Sequence, residues 1–247
     1  MTLLVDWSGS VCSMRIDRPQ KRNAVDLATL RSLREAQTEA DARGARVVVL
    51  SGSPPAFCSG ADLTGVELGE FTETLLDVLR GFGRLRCLTV AAVDGAALGA
   101  GSQLAAACDL RLATPESRFG VPAAKLGLAV DTWTVARLSV EAGWSASRRL
   151  LLTGESMTAT ELTSGFVHRL GGFDDAMEWA VELSGLAPLT VAAHKLALEN
   201  LFTAMLDGAA PTIADVEAAR LRAWASRDAA EGRAAFLEKR APEFRGE

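Results

Sequence analysis

The sequence predicts an α/β protein, because short apolar runs of strand length alternate with longer helix-like segments over the first half of the chain. Two of these runs, Val47–Leu50 and Thr89–Val93, are apolar without interruption, which is typical of parallel strands that are buried on both faces. After Val135 the pattern becomes mostly helical. The chain has 247 residues, of which 49% are hydrophobic and 23% charged, and this composition predicts a globular protein with a substantial core.

The first elements are predicted to be a β-hairpin and a helix. Leu3–Val5 and Val11–Ile16 are strand-like, and Ser8–Ser10 between them supplies turn residues. Asp26 is a candidate N-cap for a helix that extends to about Arg43. The next predicted elements are the strand Val47–Leu50, a helix around Leu75–Leu85, the strand Thr89–Val93, an alanine-rich helix ending at Cys108 and the strand Leu110–Ala113.

The second half of the chain is predicted to consist of helices separated in part by Pro188 and Pro211. The predicted helices are Val135–Ala142, Ala146–Leu152, Ala159–Ser164, Asp174–Leu186, Thr190–Leu206, Ile213–Trp224 and Asp228–Lys239. We therefore divide the chain into a core at residues 1–190 and a C-terminal helical region at residues 191–247.

Charge and cysteine content exclude several classes of function. The 26 basic and 31 acidic residues give a net charge of −5, which argues against a general nucleic-acid-binding protein. The four cysteines are widely separated and form no CxxC pair, so we expect reduced thiols. Because the chain also has two histidines, we predict no metal site. The N-terminus lacks a signal-peptide pattern and no apolar run reaches about 20 residues, so we expect a cytoplasmic protein without a membrane span.

Two small-residue turns follow the buried strands and carry the first chemical signal. They are Ala56–Leu63 and Ala97–Gln103, and the second opens the alanine-rich helix. Backbone N–H groups at such turns are accessible and lack helical acceptors. Side by side, they can direct one N–H each at a single carbonyl oxygen, as in an oxyanion hole. The alternative is that each glycine serves only the turn; a dinucleotide-binding fingerprint is disfavoured because Leu104 occupies its third glycine position.

Six segments together resemble the enoyl-CoA hydratase/isomerase (crotonase) superfamily, in the same order and over nearly the whole chain. They are Arg18–Ala24, Phe57–Leu63, Ala92–Gly101, Ala107–Ala113, Phe119–Pro122 and Phe236–Phe244. The resemblance implies a crotonase-like spiral of ββα units with a helical C-terminal trimerisation region, assembled as a homotrimer or a dimer of trimers. It also implies acyl-CoA as ligand or substrate, without a permanently bound cofactor.

The resemblance also implies a set of site residues. The amides of Ala61 and Ala100 would bind the thioester oxygen; the family usually has glycine at the second position, but alanine keeps the N–H. The CoA-binding residues implied by motif position are Arg22, Ala24, Ala61, Asp62 and Leu63, with Phe236 and Lys239 contributed by a neighbouring subunit. For Arg22 and Lys239, the alternative is a solvated surface charge.

The sequence departs from the family at both positions where active hydratases carry a catalytic glutamate. Gln103 stands at the first position and Ala123 at the second. An amide does not exchange protons near neutral pH, and alanine has no polar side-chain group. Because each lost proton-transfer group costs roughly 10²–10⁴ in rate, we predict negligible hydratase activity with acyl-CoA binding retained.

Asp131 and Trp133 allow two interpretations each. The segment around Asp131 resembles the 4-chlorobenzoyl-CoA dehalogenase branch, which makes Asp131 a candidate base or nucleophile; the simpler alternative is an N-cap for the following helix. Trp133 stands where active hydratases have glycine, and we predict that it lines the acyl pocket with Gln103 and Ala123; the alternative is core packing. In these respects the chain resembles mycobacterial members that lack both glutamates and handle long-chain acyl-CoA.

The leading hypothesis is a fatty acyl-CoA-binding protein of lipid metabolism that is not a hydratase and that presents acyl groups to protein partners in lipid synthesis. One alternative is an active enoyl-CoA hydratase/isomerase, or another acyl-CoA-transforming enzyme that uses Asp131. A further alternative is a scaffold that binds no ligand.

Overall fold

A six-stranded, mostly parallel sheet forms the centre of the chain. The computed structural model describes residues 2–62, 64, 68–208 and 212–247. Its strands are β1 (Leu3–Ser8), β2 (Val11–Ile16), β3 (Val47–Gly52), β4 (Leu88–Val93), β5 (Ala96–Leu98), β6 (Leu110–Ala113), β7 (Arg118–Gly120), β8 (Ser156–Thr158) and β9 (Arg169–Leu170). Its α-helices are α1 (Leu27–Ala42), α2 (Leu68–Arg84), α3 (Ala100–Ala107), α4 (Thr132–Glu141), α5 (Gly143–Arg148), α6 (Phe173–Ser184), α7 (Pro188–Asp207), α8 (Ile213–Trp224) and α9 (Arg227–Glu238).

The strands form two sheets. The larger sheet has the order β1-β2-β3-β4-β6-β9, in which β1 and β2 form the predicted antiparallel hairpin and all other neighbours are parallel. The smaller sheet has the order β5-β7-β8, with β5 and β7 parallel and β7 and β8 antiparallel. Because β5 directly follows β4 and precedes α3, the small sheet brings the second glycine turn close to the edge of the large one.

The core lies on both faces of the large sheet, as the uninterrupted apolar strands predict. All four residues of the run Val47–Leu50 are fully buried. On one face, Val48 and Leu50 belong to a cluster that includes Leu30 of α1 and Phe82 of α2. On the other face, residues 47 and 49 pack with Trp179 of α6. This two-sided burial fixes the strand ends from which the site loops start.

The predicted helix Ala159–Ser164 is wrong. The structure has strand β8 at Ser156–Thr158 and then a single 3₁₀ turn at Thr160–Leu162. Thr158 donates backbone and side-chain hydrogen bonds to Glu161, which closes a tight turn in place of a helix. The predicted helix Ala146–Leu152 is α-helical to Arg148 and continues as a π-helix over Arg149–Thr153.

The C-terminal helices are attached to the core through buried charges. The ammonium group of Lys195 on α7 donates to the Cys87 carbonyl (2.9 Å) and to Asp109 Oδ2 (2.7 Å). Arg137 of α4 pairs with Glu199 of α7 at 2.7 Å. The division predicted between residues 190 and 191 falls inside α7, which begins at Pro188. None of the described helices combines the length and the apolar character needed to cross a bilayer.

Candidate functional site

The two glycine turns lie against each other. The amide of Cys58 donates to the carbonyl of Ala96 (2.9 Å), and the amide of Leu98 donates to the carbonyl of Cys58 (2.9 Å). Gly60 and Gly99 have φ values of +121° and +52°, where residues with a Cβ are rarely found. A Cβ placed on Gly99 would lie 3.7 Å from the Cα of Gly60. The two turns therefore lie side by side, which is the arrangement that an oxyanion hole requires.

Each turn presents a backbone N–H that donates to no acceptor among the residues that the structure describes. The amide of Val25 donates to the Gly60 carbonyl (2.9 Å), and the amide of Asp62 donates to the Val25 carbonyl (2.8 Å). In this parallel bridge, Gly60 and Asp62 face Val25, so the N–H of Ala61 points away from Val25. The N–H of Ala100, the first residue of α3, has no intrahelical acceptor. Two neighbouring donors are thus available, and their binding of one carbonyl oxygen stays a prediction.

Ser102 ties the second turn to the segment that carries Ala123. Its hydroxyl donates to the Ala97 carbonyl (2.7 Å) and accepts from the Gly120 amide (2.9 Å). Ala123 follows on the 3₁₀ turn Pro122–Lys125, where it is partly buried. It presents a methyl group at the predicted position of the second lost glutamate.

The side chain of Asn23 anchors the start of the first turn through hydrogen bonds to its backbone. The sequence alone did not assign this residue a role. Its fully buried amide donates to the carbonyls of Ser53 (2.6 Å) and Ala56 (2.5 Å) and accepts from the Arg18 amide (2.9 Å). Its φ of +57° is in the left-handed region, which asparagine tolerates better than most residues. An asparagine inside the Arg18–Ala24 motif was the available signal.

A small charge cluster surrounds the first turn. Arg18 pairs with Asp26 (2.8 Å) and Asp62 (3.2 Å), and Lys21 lies 3.8 Å from Asp62. Hydrogen bonds from Thr64, together with Arg18 and Lys21, lower the pKa of Asp62 below its ordinary value. Asp62 is therefore an anion at neutral pH, which makes Arg18 an internal counter-ion.

The other predicted CoA-binding residues are dispersed. Arg22 is exposed, and its carbonyl accepts from the Ser59 amide of the first turn (3.0 Å). Ala24 is buried and directly precedes Val25, whose amide donates to the Gly60 carbonyl of that turn. Leu63 lies outside the described residues. Phe236 is 83% exposed near the end of α9, and Lys239 follows it in a left-handed cap. The contribution of these two residues to a neighbouring subunit's site, which the family resemblance implies, stays a prediction.

A hydrogen-bonded chain connects the first lost-glutamate position to Asp131. The buried Gln103 donates from Nε2 to Thr134 Oγ1 (2.7 Å), and Thr134 Oγ1 donates to Asp131 Oδ2 (2.7 Å). The Thr134 amide donates to Asp131 Oδ1 (3.0 Å), so Asp131 is the N-cap of α4, as its simpler interpretation predicts. Sequence reasoning missed Thr134, although an aspartate three residues before a threonine is a capping pattern.

Trp133 packs in the core and also lines a cavity. The ring is 5% exposed and meets the Phe202 ring edge-to-face at a centroid distance of 6.1 Å. The cavity, of about 460 Å³, lies between α2, α7 and α8. Gln103 and Ala123 are not among the described residues that line it. Trp133 therefore shares its cavity with the C-terminal helices rather than with the two lost-glutamate positions.

The cysteine in the first turn is not a nucleophile. Burial raises the pKa of the Cys58 thiol to about 12, so the thiol is protonated at neutral pH. All four cysteines are buried and unpaired. The described residues contain no group of three or more histidine, cysteine, aspartate or glutamate side chains arranged to hold a metal ion.

Comparison with known proteins identifies the family. The profile for Enoyl-CoA hydratase/isomerase matches residues 6–247. The chain belongs to the enoyl-CoA hydratase/isomerase family. A relative from Mycobacterium leprae, named probable enoyl-CoA hydratase echA6, is 37% identical over 244 residues, covering 96% of each chain. A protein of the same name from Mycobacterium tuberculosis is 36% identical over 239 residues, again covering 96% of each.

Solved structures of this family share the fold. A putative enoyl-CoA hydratase/isomerase family protein from Hyphomonas neptunium matches with a TM-score of 0.90 and 27% identity, covering 100% of this chain and 98% of that one. The predicted crotonase fold, with its C-terminal helical region, is therefore confirmed.

Proposed function

We propose that this enoyl-CoA hydratase/isomerase family member binds fatty acyl-CoA esters in lipid metabolism and does not hydrate enoyl-CoA. The observation that carries the proposal is the pair of free amides at Ala61 and Ala100 beside positions occupied by Gln103 and Ala123. The donors that would hold a thioester oxygen are present, whereas neither position holds a group that can transfer a proton near neutral pH.

The remaining groups near the turns do not replace the glutamates. Both oxygens of Asp131 accept hydrogen bonds from Thr134, which supports a capping role over a base or nucleophile. The Cys58 thiol is protonated. With two proton-transfer groups missing, the site retains what two amide donors contribute, on the order of 10²–10³ in rate for each donor of an oxyanion hole. Enoyl-CoA turnover should accordingly lie far below that of a hydratase with both glutamates.

The cavity behind Trp133 supports binding of a long acyl chain. Its apolar wall includes Leu85, Leu196 and Leu206. Trp133 is the lining residue that α4 contributes, and it directly precedes Thr134, the partner of Gln103. We therefore propose that an acyl chain bound at the turns enters this cavity past the indole ring. Each buried CH₂ contributes about 0.8 kcal/mol, so affinity should rise roughly fourfold per carbon until the cavity is full.

Calorimetric titration with saturated acyl-CoA esters of increasing length tests the proposal. We expect steep length dependence in the parent and a changed length optimum in Trp133→Ala. Trp144→Ala is the matched control, because this tryptophan is 69% exposed on α5. Absence of acyl-CoA binding would refute the proposal and favour a ligand-free scaffold. Crotonyl-CoA turnover that is lost in Gln103→Ala would instead favour the enzyme.

The C-terminal helices support assembly of several copies. Leu198, Leu201 and Met205 on α7 and Trp224 on α8 are each more than half exposed. The three residues on α7 follow one another at spacings of three and four, so they form one apolar face of the helix, and a contiguous exposed apolar face often marks an interface. We propose that these faces are covered in a homotrimer or a dimer of trimers, and that Phe236 and Lys239 reach a neighbouring site there. Sedimentation analysis should give a trimer or hexamer for the parent and smaller species for Leu201→Glu; a monomeric parent would refute this assembly.

A further inference from the structure

The chain Gln103–Thr134–Asp131 fixes the direction of each of its hydrogen bonds. An ionised aspartate can only accept, so the single hydroxyl proton of Thr134 is used toward Asp131 Oδ2 (2.7 Å). Thr134 Oγ1 then can only accept from Gln103, at 2.7 Å. The amide group of Gln103 must therefore turn its NH₂ toward Thr134 and its carbonyl oxygen away from it.

The carbonyl oxygen of Gln103 is free to meet a ligand. Gln103 Oε1 has no hydrogen-bond partner in the described part of the chain. Although the residue is buried, this oxygen atom keeps some access to solvent. Gln103 follows Ala100 by three residues on α3, so the two lie on one face of the helix, about 4.5 Å apart along its axis. A group on the third carbon of an acyl chain has a similar separation from the thioester oxygen.

We propose that Asp131 is a positioning residue that orients the side-chain amide of Gln103 through Thr134. The site then binds acyl thioesters that carry a hydrogen-bond donor on the third carbon more tightly than those that carry only an acceptor there. This inference rests on the proposed function. A 3-hydroxyl group donates to Gln103 Oε1, whereas a 3-oxo group places one carbonyl oxygen against another. One hydrogen bond gained and one buried acceptor left unpaired together give a preference of about tenfold or more.

Two variants alter the hydrogen bonds between Gln103, Thr134 and residue 131 without removing Gln103. In Asp131→Asn, the side-chain oxygen still caps the Thr134 amide, and the side-chain NH₂ now donates to Thr134 Oγ1. Thr134 then donates to Gln103 Oε1, and the amide of Gln103 turns its NH₂ toward the ligand. The preference should invert, so that 3-oxoacyl-CoA binds more tightly than 3-hydroxyacyl-CoA. In Thr134→Val the amide is released, and the preference should fall to within about twofold.

The experiment is calorimetric titration with 3-hydroxyacyl-CoA, 3-oxoacyl-CoA and saturated acyl-CoA of one chain length. Thr132→Val is the matched control, because it removes an exposed hydroxyl from the same helical turn. We expect the saturated ester to bind all four proteins within about twofold, since it offers no group to Gln103. Asparagine is as good an N-cap as aspartate, so Asp131→Asn decides the question if Thr134→Val does not fold.

The outcomes separate this inference from the proposed function. Equal binding of the 3-hydroxy and 3-oxo esters to the parent would overturn the inference while leaving acyl-CoA binding intact. Retention of the parent preference in Asp131→Asn would also overturn it. Failure of the saturated ester to bind the parent would refute the proposed function itself.

Discussion

Gly101→Ala tests the geometry of the two turns directly. A Cβ at this position would lie 2.1 Å from the Cys58 carbonyl oxygen and 3.0 Å from its carbonyl carbon. Both atoms belong to the backbone of the first turn, so one turn must move by about 1 Å to reach an acceptable contact. The amides of Ala61 and Ala100 then no longer converge on one oxygen. Two neutral hydrogen bonds contribute about 2 kcal/mol net, which corresponds to roughly 30-fold in affinity.

The assay compares an acyl-CoA thioester with the S-alkyl-CoA thioether of equal chain length, which lacks the carbonyl oxygen. The parent should bind the thioester roughly 30-fold more tightly, and Gly101→Ala should bind both about equally. Any shift of the predicted CoA contacts on the first turn affects the thioester and the thioether alike, so the ratio of the two affinities isolates the contribution of the carbonyl oxygen. Gly69→Ala on α2 is the control, since a Cβ there meets no atom within 4 Å. A folded Gly101→Ala protein that keeps the thioester preference would refute the oxyanion-hole reasoning.

Three further predictions follow from individual residues. Partial desolvation and the Arg111 guanidinium hold the pKa of His168 at about 4, below its ordinary 6.5. Because the unfolded chain therefore binds the proton at a higher pH than the folded one, the free energy of unfolding should fall as the pH drops from about 6.5 to about 4. Urea unfolding at several pH values should show a smaller fall for His168→Gln; an unchanged fall would contradict this assignment. Gln103→Glu with Ala123→Glu should restore measurable enoyl-CoA hydration, each change alone much less, and a folded, ligand-binding double variant without turnover would contradict the site geometry. Asn23→Ala should lower the free energy of unfolding by about 2–4 kcal/mol, because the buried carbonyl of Ala56 and the partly buried carbonyl of Ser53 lose their donor; a loss below about 1 kcal/mol in urea unfolding would contradict its structural role.

Trp133 changes the design of the gain-of-function test. Because active hydratases have glycine at this position, Trp133→Gly is the obvious third change to make room for the attacking water. In the structure, the indole packs on Phe202 and lines a cavity whose described residues include neither Gln103 nor Ala123. Trp133→Gly would therefore remove core packing, which typically costs 3–5 kcal/mol for so large a side chain. Asp131→Asn is the better third change, because it frees Thr134 to donate to a glutamate at position 103.

The parts of the fold that the sequence predicts are those set by local signals. Asp26 and Asp131 are N-caps, and each accepts from the backbone amide three residues later. The run Val47–Leu50 is buried on both faces because its neighbours in the sheet are parallel and helices cover both sides. In each case, the residue type and its immediate neighbours contain the physical cause.

The parts that the sequence does not predict depend on distant partners. Strands β5, β7 and β8 have three residues each, too few to show an alternating pattern, and they pair across 20 to 40 positions of the chain. Thr134 became a site residue only when the fold placed it 2.7 Å from Gln103, which is 31 positions away. The cavity behind Trp133 likewise requires α2 and α7 to meet. No short segment of sequence contains these contacts.

In the proposed function, the protein binds acyl-CoA thioesters and does not hydrate enoyl-CoA. A single-turnover experiment tests it most directly: crotonyl-CoA, or a longer enoyl-CoA, is mixed with an excess of the parent protein, and the ultraviolet absorbance of the conjugated thioester is followed over time. We expect equilibrium dialysis of the same sample to show bound enoyl-CoA, while its absorbance persists at the level seen with Gln103→Ala. Loss of the absorbance in the parent that Gln103→Ala abolishes would show that the protein is a hydratase that uses Gln103.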